Sequence, residues 1–289
     1  MIRIHRGAEP DELRRVRLER LPELARIART RPPRSEEIDG YRIAAGPLWR
    51  AQNFKCCYCE RKIPKLYNDV EHYRPKASAT REPGSQDRHG YWWLAFTWTN
   101  LLFACPSCNR TGKNDRFPLD AGSVALVAKE APPGKEKPLL LDPAEHHGIE
   151  HIEFVFGVIP ARATSAGVPP GWSARKHWWP RARGGSLTGD WTIRVCGLDS
   201  SEHIELYDDH VDKEARPAAR DLEEALKRRR DVTAAFDQAM RLLQPGKPFM
   251  GLSYDALRLL VPGDALAPWN LAWPEPREAG RSPGRTRRR

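Results

Sequence analysis

Two Cys-x-x-Cys pairs, Cys56/Cys59 and Cys105/Cys108, constrain this chain more than any other feature. Pairs at this spacing in a large reducing-compartment chain bind metal more often than they form disulfides. Together they supply the four thiolates of a closed tetrahedral zinc site, which can add on the order of ten kcal/mol to folding. The 45 residues between the pairs exceed the roughly 15–20 of a simple zinc ribbon. A functional insert is therefore expected between the two knuckles. Two unrelated thiol pairs or a redox dithiol are the alternatives, but no βαβ pattern surrounds either pair. Cys57 and Cys196 are left over and read as small core residues.

With 289 residues the chain can bury a core without disulfides. No apolar run approaches the ~20 residues of a membrane span. Behind Met1-Ile2-Arg3-Ile4-His5-Arg6 there is no apolar stretch of the signal-peptide kind. A soluble, cytoplasmic protein is the expectation. The net charge of +10 is uneven. Residues 1–34 carry ten Arg against five acids, residues 276–289 six Arg against Glu278, and residues 55–116 eleven bases against six acids. Such local positive fields suit a polyanion, although Arg-rich solvated faces give the same count.

Along the chain, residues 11–30 read as an amphipathic Arg-rich helix with a break at Pro22, and 36–54 as a second helix interrupted near Gly46-Pro47. A short strand is expected across Tyr67–Tyr73, then a polar loop over 77–90. The cluster Tyr91-Trp92-Trp93-Leu94-Ala95-Phe96-Thr97-Trp98 reads as core packing around a small metal domain. Cys108-Asn109-Arg110 should open a short helix. Strands are expected at His151–Val158 and Thr192–Val195. Asp199 with Glu202 looks like a capping box. A long charged helical stretch should follow to about Leu243, broken at Pro217. The stretch around His177-Trp178-Trp179-Pro180-Arg181 mixes bases and aromatics and fits unpaired bases or a protein interface.

The insert contains Asp69-Val70-Glu71-His72-Tyr73-Arg74-Pro75-Lys76. A Glu-His pair alone means little, because neighbours on a strand face opposite ways. Here it lies inside the metal-clamped insert, beside Arg74 and Lys76, with Asn100 before the second knuckle and Asn109 directly after Cys108. Phosphodiester hydrolysis needs a base for water, a divalent cation and basic contacts to phosphate. His72, with an imidazole near its ordinary pKa, would serve as the base. Glu71 and the Asn109 amide oxygen are hard ligands suited to Mg²⁺, while Arg110, Lys113 and Arg116 can meet phosphate.

These residues carry a resemblance. The string from Lys55 to Leu119 resembles the HNH (ββα-metal) nuclease family in its zinc-clamped form, and within it the PtuB-like subunits of Septu and retron-associated anti-phage systems. It is borne by Cys56-Cys57-Tyr58-Cys59-Glu60, Val70 through Lys76, Tyr91 through Ala95, Asn100 through Lys113, and Phe117-Pro118-Leu119. Leu140-Leu141-Asp142-Pro143 and Gly197-Leu198-Asp199 are less diagnostic matches. The resemblance implies an α+β protein: a ββα-metal core stapled by a four-cysteine zinc site, with a mostly α-helical C-terminal region. It implies His72 as general base, Asn100 as the brace that orients it, and Asn109 and Glu71 as ligands of a catalytic Mg²⁺ or Mn²⁺. Cys56, Cys59, Cys105 and Cys108 would hold structural zinc. Glu71 is one methylene longer than the usual Asp, which weakens its claim to direct coordination. The organisation then reads as an Arg-rich helical segment (1–54), nuclease core (55–120), Pro/Gly-rich region with short strands (121–198), helical partner region (199–273) and basic tail (274–289). Arg74, Lys76, Arg110, Lys113 and Arg116 are the expected nucleic-acid contacts. DNA is the expected substrate, with RNA such as a tRNA as the rival; a zinc-dependent binding adaptor without activity is the other alternative. The implied partner is an ABC/SMC-like ATPase, since the sequence has no Gly-x-x-x-x-Gly-Lys-Ser/Thr loop of its own.

Overall fold

The computed structural model describes residues 3–81, 85–160, 172 and 175–276. The basic tail beyond 276 lies outside the described residues. The architecture is mixed, with helices around three small two-stranded sheets. Among the described residues no helix is long and apolar enough to cross a membrane.

Helix α1 (Asp11–Ile27) opens with Asp11 and Glu12 and closes with Arg26, charges that suit the helix dipole at each end. Leu13 and Leu24 are its buried residues. The expected break at Pro22 does not occur. The carbonyl that Pro22 leaves unpaired belongs to Leu18, whose residue is 69% exposed, so water can take the bond. The second helix is shorter than expected. Two 3₁₀ turns, Ser35–Glu37 and Tyr41–Ala44, lead into α2 (Ala45–Ala51). The interruption falls at Gly40, in the left-handed region with φ 96°, while Gly46-Pro47 lies in the first turn of α2, where a missing N–H costs little.

Strand β1 (Asp69–His72) pairs antiparallel with the last strand of the insert, which follows two two-residue strands, β2 (Ala79–Thr80) and β3 (Gln86–Asp87). That partner is β4 (Leu101–Ala104), with Asp69 opposite Ala104 and His72 opposite Leu101. All four β4 residues are fully buried. The free edge of β4 is completed by a side chain. Gln52 Nε2 donates to the Phe103 carbonyl (2.7 Å), and its Oε1 accepts from Phe103 N–H (2.8 Å). The aromatic cluster at 91–98 packs into this first core as expected. After β4 the chain enters the second knuckle and a wide π-helical turn, Ser107–Lys113.

A second core gathers around Trp178, Tyr207, Leu222, Leu252 and Leu257. It packs the hairpin of β5 (Ile152–Val158) and β6 (Lys176–Ala182) against helices. These are α3 (Leu187–Cys196), α4 (Ser201–His210), α5 (Arg216–Arg228), α6 (Val232–Met240), α7 (Met250–Leu260) and α8 (Gly263–Leu266). His177–Arg181 is thus part of a β-strand, and Trp178 belongs to the core. Thr192–Val195, expected as a strand, lies in α3. The Ser186 hydroxyl caps that helix at one end and left-handed Gly197 closes it at the other, which outweighs the β-branched run between them. The cap of α4 is Ser200 rather than Asp199; its hydroxyl accepts from His203 N–H. Glu202 is therefore free to leave the helix end. The helical stretch beyond bends through a π-helical turn at Val211–Ala215, with Pro217 tolerated at the start of α5.

The two knuckles meet. The sulfurs of Cys56, Cys59, Cys105 and Cys108 all lie within 4.8 Å of one another, and all four residues are buried. Cys59 and Cys105 are 3.9 Å apart, close to the ~3.8 Å that a tetrahedral site with 2.3 Å zinc–sulfur bonds requires. Four soft donors at this separation could hold a zinc ion. The left-over Cys57 and Cys196 are buried. Helix α4 docks on the cluster: His203 Nε2 is 3.5 Å from Cys108 Sγ, and Glu202 accepts from Arg61 (2.7 Å) and Ser107 (2.8 Å). Gly112, in the turn after Cys108, leaves no room for a side chain, since a Cβ there would come within 2.7 Å of the Cys196 carbonyl oxygen at the end of α3.

Two outcomes are expected. Cys105→Ser should lose its zinc, measured by metal analysis of the purified protein, and the knuckle region should no longer fold. A soluble, zinc-loaded Cys105→Ser protein would refute the clamp. Gly112→Ala should lower stability by about 1–3 kcal/mol through overpacking against backbone, read as a drop in melting temperature with zinc content unchanged.

Candidate active site

His72 ends β1 and is buried at the wall of a cleft of about 360 Å³ that is also lined by Ser35, Tyr41, Lys76, Asn109 and Asp115. Its Nε2 lies 3.0 Å from the Ala95 carbonyl oxygen. A carbonyl can only accept, so Nε2 carries the proton and Nδ1 keeps the lone pair. The edge of the ring meets Tyr41, with centroids 4.6 Å apart at 75°. The expectation of an ordinary imidazole pKa is corrected here. Burial, with Lys76 adding its positive charge, pushes His72 down to about 3, against the opposing hydrogen bond to Ala95.

Asn100 joins the two segments that hold this ring. Its Oδ1 accepts from Arg74 N–H (2.8 Å), and its Nδ2 donates to the carbonyls of Arg74 (3.0 Å) and Leu94 (3.2 Å). Its own carbonyl accepts from Tyr73 N–H at 2.9 Å. One buried amide therefore ties the chain just after His72 to the chain just before Ala95.

Glu71 is placed differently from His72. It is 3% exposed, 2.7 Å from the ammonium of Lys113, and accepts from the Tyr58 hydroxyl at 3.3 Å. Burial raises its carboxyl pKa against the pull of Lys113 and Tyr58. Lys113 is 0% exposed and also donates to the His72 carbonyl at 2.9 Å. It holds the turn to β1 and is not open to a phosphate. Arg74 is likewise buried, on Glu136 at 2.6 Å. Both expected phosphate contacts are internal counter-ions, because long cations threaded through a core must be paired there. Lys76 is different. Its ammonium reaches Ser35 (2.6 Å to Oγ) at the cleft rim, and burial lowers its pKa to about 8. Arg116 is half-buried and donates to the carbonyl of Gly112.

Asn109, on the turn after the second knuckle, reaches β1 at Asp69: its Nδ2 is 3.2 Å from Asp69 Oδ2. Arg110 grips the same carboxylate with two bonds, Nε to Oδ2 at 2.8 Å and Nη2 to Oδ1 at 2.7 Å. The sequence reading passed over Asp69. The available signal was spacing: carboxylates two apart on a strand, 69 and 71, face bases three apart on a helical turn, 110 and 113. His203, beside Cys108, was also missed, because 95 residues separate the two.

No family model and no solved structure matches the chain. Among proteins of known name, it is similar to the Septu protein PtuB of Bacillus mycoides (strain KBAB4), 43% identical over 105 residues, which is 35% of this chain and 35% of that protein. It is also similar to the Septu protein PtuA of the same strain, 31% identical over 103 residues, 35% of this chain and 14% of PtuA. The chain thus spans about a third of one relative's length and a seventh of the other's. With the four-cysteine cluster and mixed α and β architecture beside that similarity, the chain is a Septu PtuB-like protein over the matched stretch.

Proposed function

We propose that the chain is a metal-dependent HNH endonuclease that hydrolyses phosphodiester bonds, most simply of DNA, as the nuclease of a Septu-type anti-phage defence system. The observation that carries this reading is the state of His72. Its Nε2 is committed to the Ala95 carbonyl, which leaves the Nδ1 lone pair as the free base of a ring in the wall of a cleft that Asn109 and Lys76 share. In this mechanism Nδ1 takes a proton from water, the water oxygen forms a bond to phosphorus, and the bond to the 3′ oxygen breaks. The proton then reaches the departing 3′ oxygen through solvent. A divalent ion bound beside Asn109 would neutralise charge on the phosphate and on the leaving oxygen. Asn100 acts through His72, by fixing the segment that presents Ala95. Lys76 at the rim would hold a phosphate oxygen. An ATPase partner of the PtuA kind would direct the nuclease, and the four-cysteine cluster would hold zinc as a structural ion.

Plasmid DNA and total tRNA, assayed in parallel with Mg²⁺ or Mn²⁺ against EDTA and with and without the PtuA-like partner, test the reading. His72→Ala should lose at least about 10²-fold in rate while keeping its zinc and its melting temperature. Divalent-dependent cleavage retained by that variant would overturn the assignment, and cleavage of tRNA alone would move the substrate to RNA.

The pH profile is a second test. A base is active only when unprotonated, and a lowered pKa keeps it so to more acid pH. The acid limb at the ordinary histidine position of about 6.5 should therefore be absent, with activity level from about pH 5.5 to 7.5. Binding should weaken above about 8 as Lys76 loses its charge. An acid limb centred near the ordinary value would contradict the buried base.

A further inference from the structure

Resting on the phosphodiesterase reading, we propose that the hard divalent cation of this site is bound between the Asp69 carboxylate and the Asn109 side-chain amide, that Arg110 occupies the carboxylate until the cation arrives, and that Glu71 is not a ligand. Glu71 is already neutralised: it is enclosed with the Lys113 ammonium 2.7 Å away and the Tyr58 hydroxyl as a further donor. A cation there would have to evict a fully buried lysine. Asp69 has no such commitment. Its side chain is 22% exposed, and its partner Arg110 is 65% exposed on a long, mobile stem.

The spacing suits a small octahedral ion. Neighbouring oxygens around Mg²⁺ or Mn²⁺, at ligand distances of about 2.1 Å, lie about 3.0 Å apart. The Asn109 amide terminus and Asp69 Oδ2 are 3.2 Å apart. At present the amide donates its N–H₂; a half-turn about its last bond replaces the nitrogen by oxygen with almost no change of shape. The two parallel bonds from Arg110 are the contacts of a planar cation on a carboxylate. When a dication takes that place, the freed guanidinium is left at the rim, where a phosphate oxygen is its natural acceptor. The depression lined by Asp69 and Arg110 shares Tyr41, Val70 and Asn109 with the cleft of His72. A phosphate in the groove would therefore meet both.

Mn²⁺ titration of the zinc-loaded full chain, followed by the loss of the free-ion electron paramagnetic resonance signal, tests the site without any substrate. Wild type should bind about one Mn²⁺ per chain. Asp69→Asn, isosteric and on a partly exposed position, should weaken binding at least about tenfold, and Asn109→Ala should do the same, each removing one hard oxygen ligand. Glu71→Gln should stay within about threefold of wild type, and Arg110→Ala should bind as tightly or more tightly, since a competing cation is gone. Unchanged binding by Asp69→Asn, or no binding by wild type at millimolar Mn²⁺, overturns the proposal whatever happens to Glu71→Gln. A Glu71→Gln protein of normal zinc content and melting temperature that binds as weakly as Asp69→Asn also overturns it. The two readings fail separately. Normal Mn²⁺ binding by Asp69→Asn with cleavage abolished in His72→Ala removes the cation site and leaves the nuclease. Lost Mn²⁺ binding in Asp69→Asn with cleavage intact in His72→Ala does the reverse.

Discussion

Four sulfurs within 4.8 Å of one another fix two points of the chain that lie 45 residues apart. That cluster sets where β4 ends and where the turn Ser107–Lys113 begins, and the turn delivers both Asn109 and Lys113 to β1. The strand pair itself is only four residues long on each side, far too short to be stable alone. Its register is held from outside by the knuckles, by Gln52 completing the edge of β4, and by two ion pairs that join residues 69 and 71 to residues 110 and 113. The cluster is also the place where the second core is fastened to the first. Glu202 and His203 on α4 contact Arg61, Ser107 and Cys108, so the helical region and the insert meet at the same four thiols.

The buried charges around His72 serve geometry before they serve chemistry. Glu71–Lys113 and Arg74–Glu136 flank the histidine in sequence, and both are enclosed. Removing one partner from such a pair costs about 3–5 kcal/mol, whereas the intact pair adds little net stability. Their effect is to specify position. Lys113 fixes the His72 carbonyl, Arg74 is locked against Glu136, and Asn100 bonds the Arg74 backbone on both sides. The ring is left with one rotameric option and one tautomer. Two nearby ammonium groups, at Lys76 and Lys113, also disfavour an imidazolium, and this keeps a base neutral at the wall of a groove made for anions.

What could be read from the sequence was the covalent chemistry and the spacing. The Cys-x-x-Cys pairs, the aromatic core at 91–98 and the strand at Asp69–His72 all follow from local pattern. What could not be read depended on which way a side chain turned. Glu71 and His72 are adjacent, and only the fold reveals that the carboxylate meets Lys113 across the strand while the imidazole opens on the cleft. Thr192–Val195 went wrong for a related reason: β-branched residues favour strands, but a Ser cap and a left-handed Gly ten residues later make a helix of the same string. The Asp199 cap failed by a single residue, because Ser200 offers the N-terminus an equally good acceptor.

Charge counting misled in a more general way. Residues 55–116 contain eleven bases, which as a bare sum suggests a strong field for a polyanion. In the fold Lys55, Arg61, Arg74, Arg81, Arg110 and Lys113 are each paired with a carboxylate. Two of those carboxylates, Glu136 and Glu202, come from outside the segment, so the local excess is drained by chain that the count never included. Among the described residues, Lys62, Lys65, Lys76, Arg88 and Arg116 remain without an ion pair, and of these only Lys76 lines the His72 cleft. Attraction of a phosphate to this groove then depends on a few placed groups rather than on net charge. A cation at Asp69 would add to them twice over, once by its own charge and once by releasing Arg110. The distribution of charge over the folded surface, and not its sum along the sequence, decides how strongly such a site can hold nucleic acid.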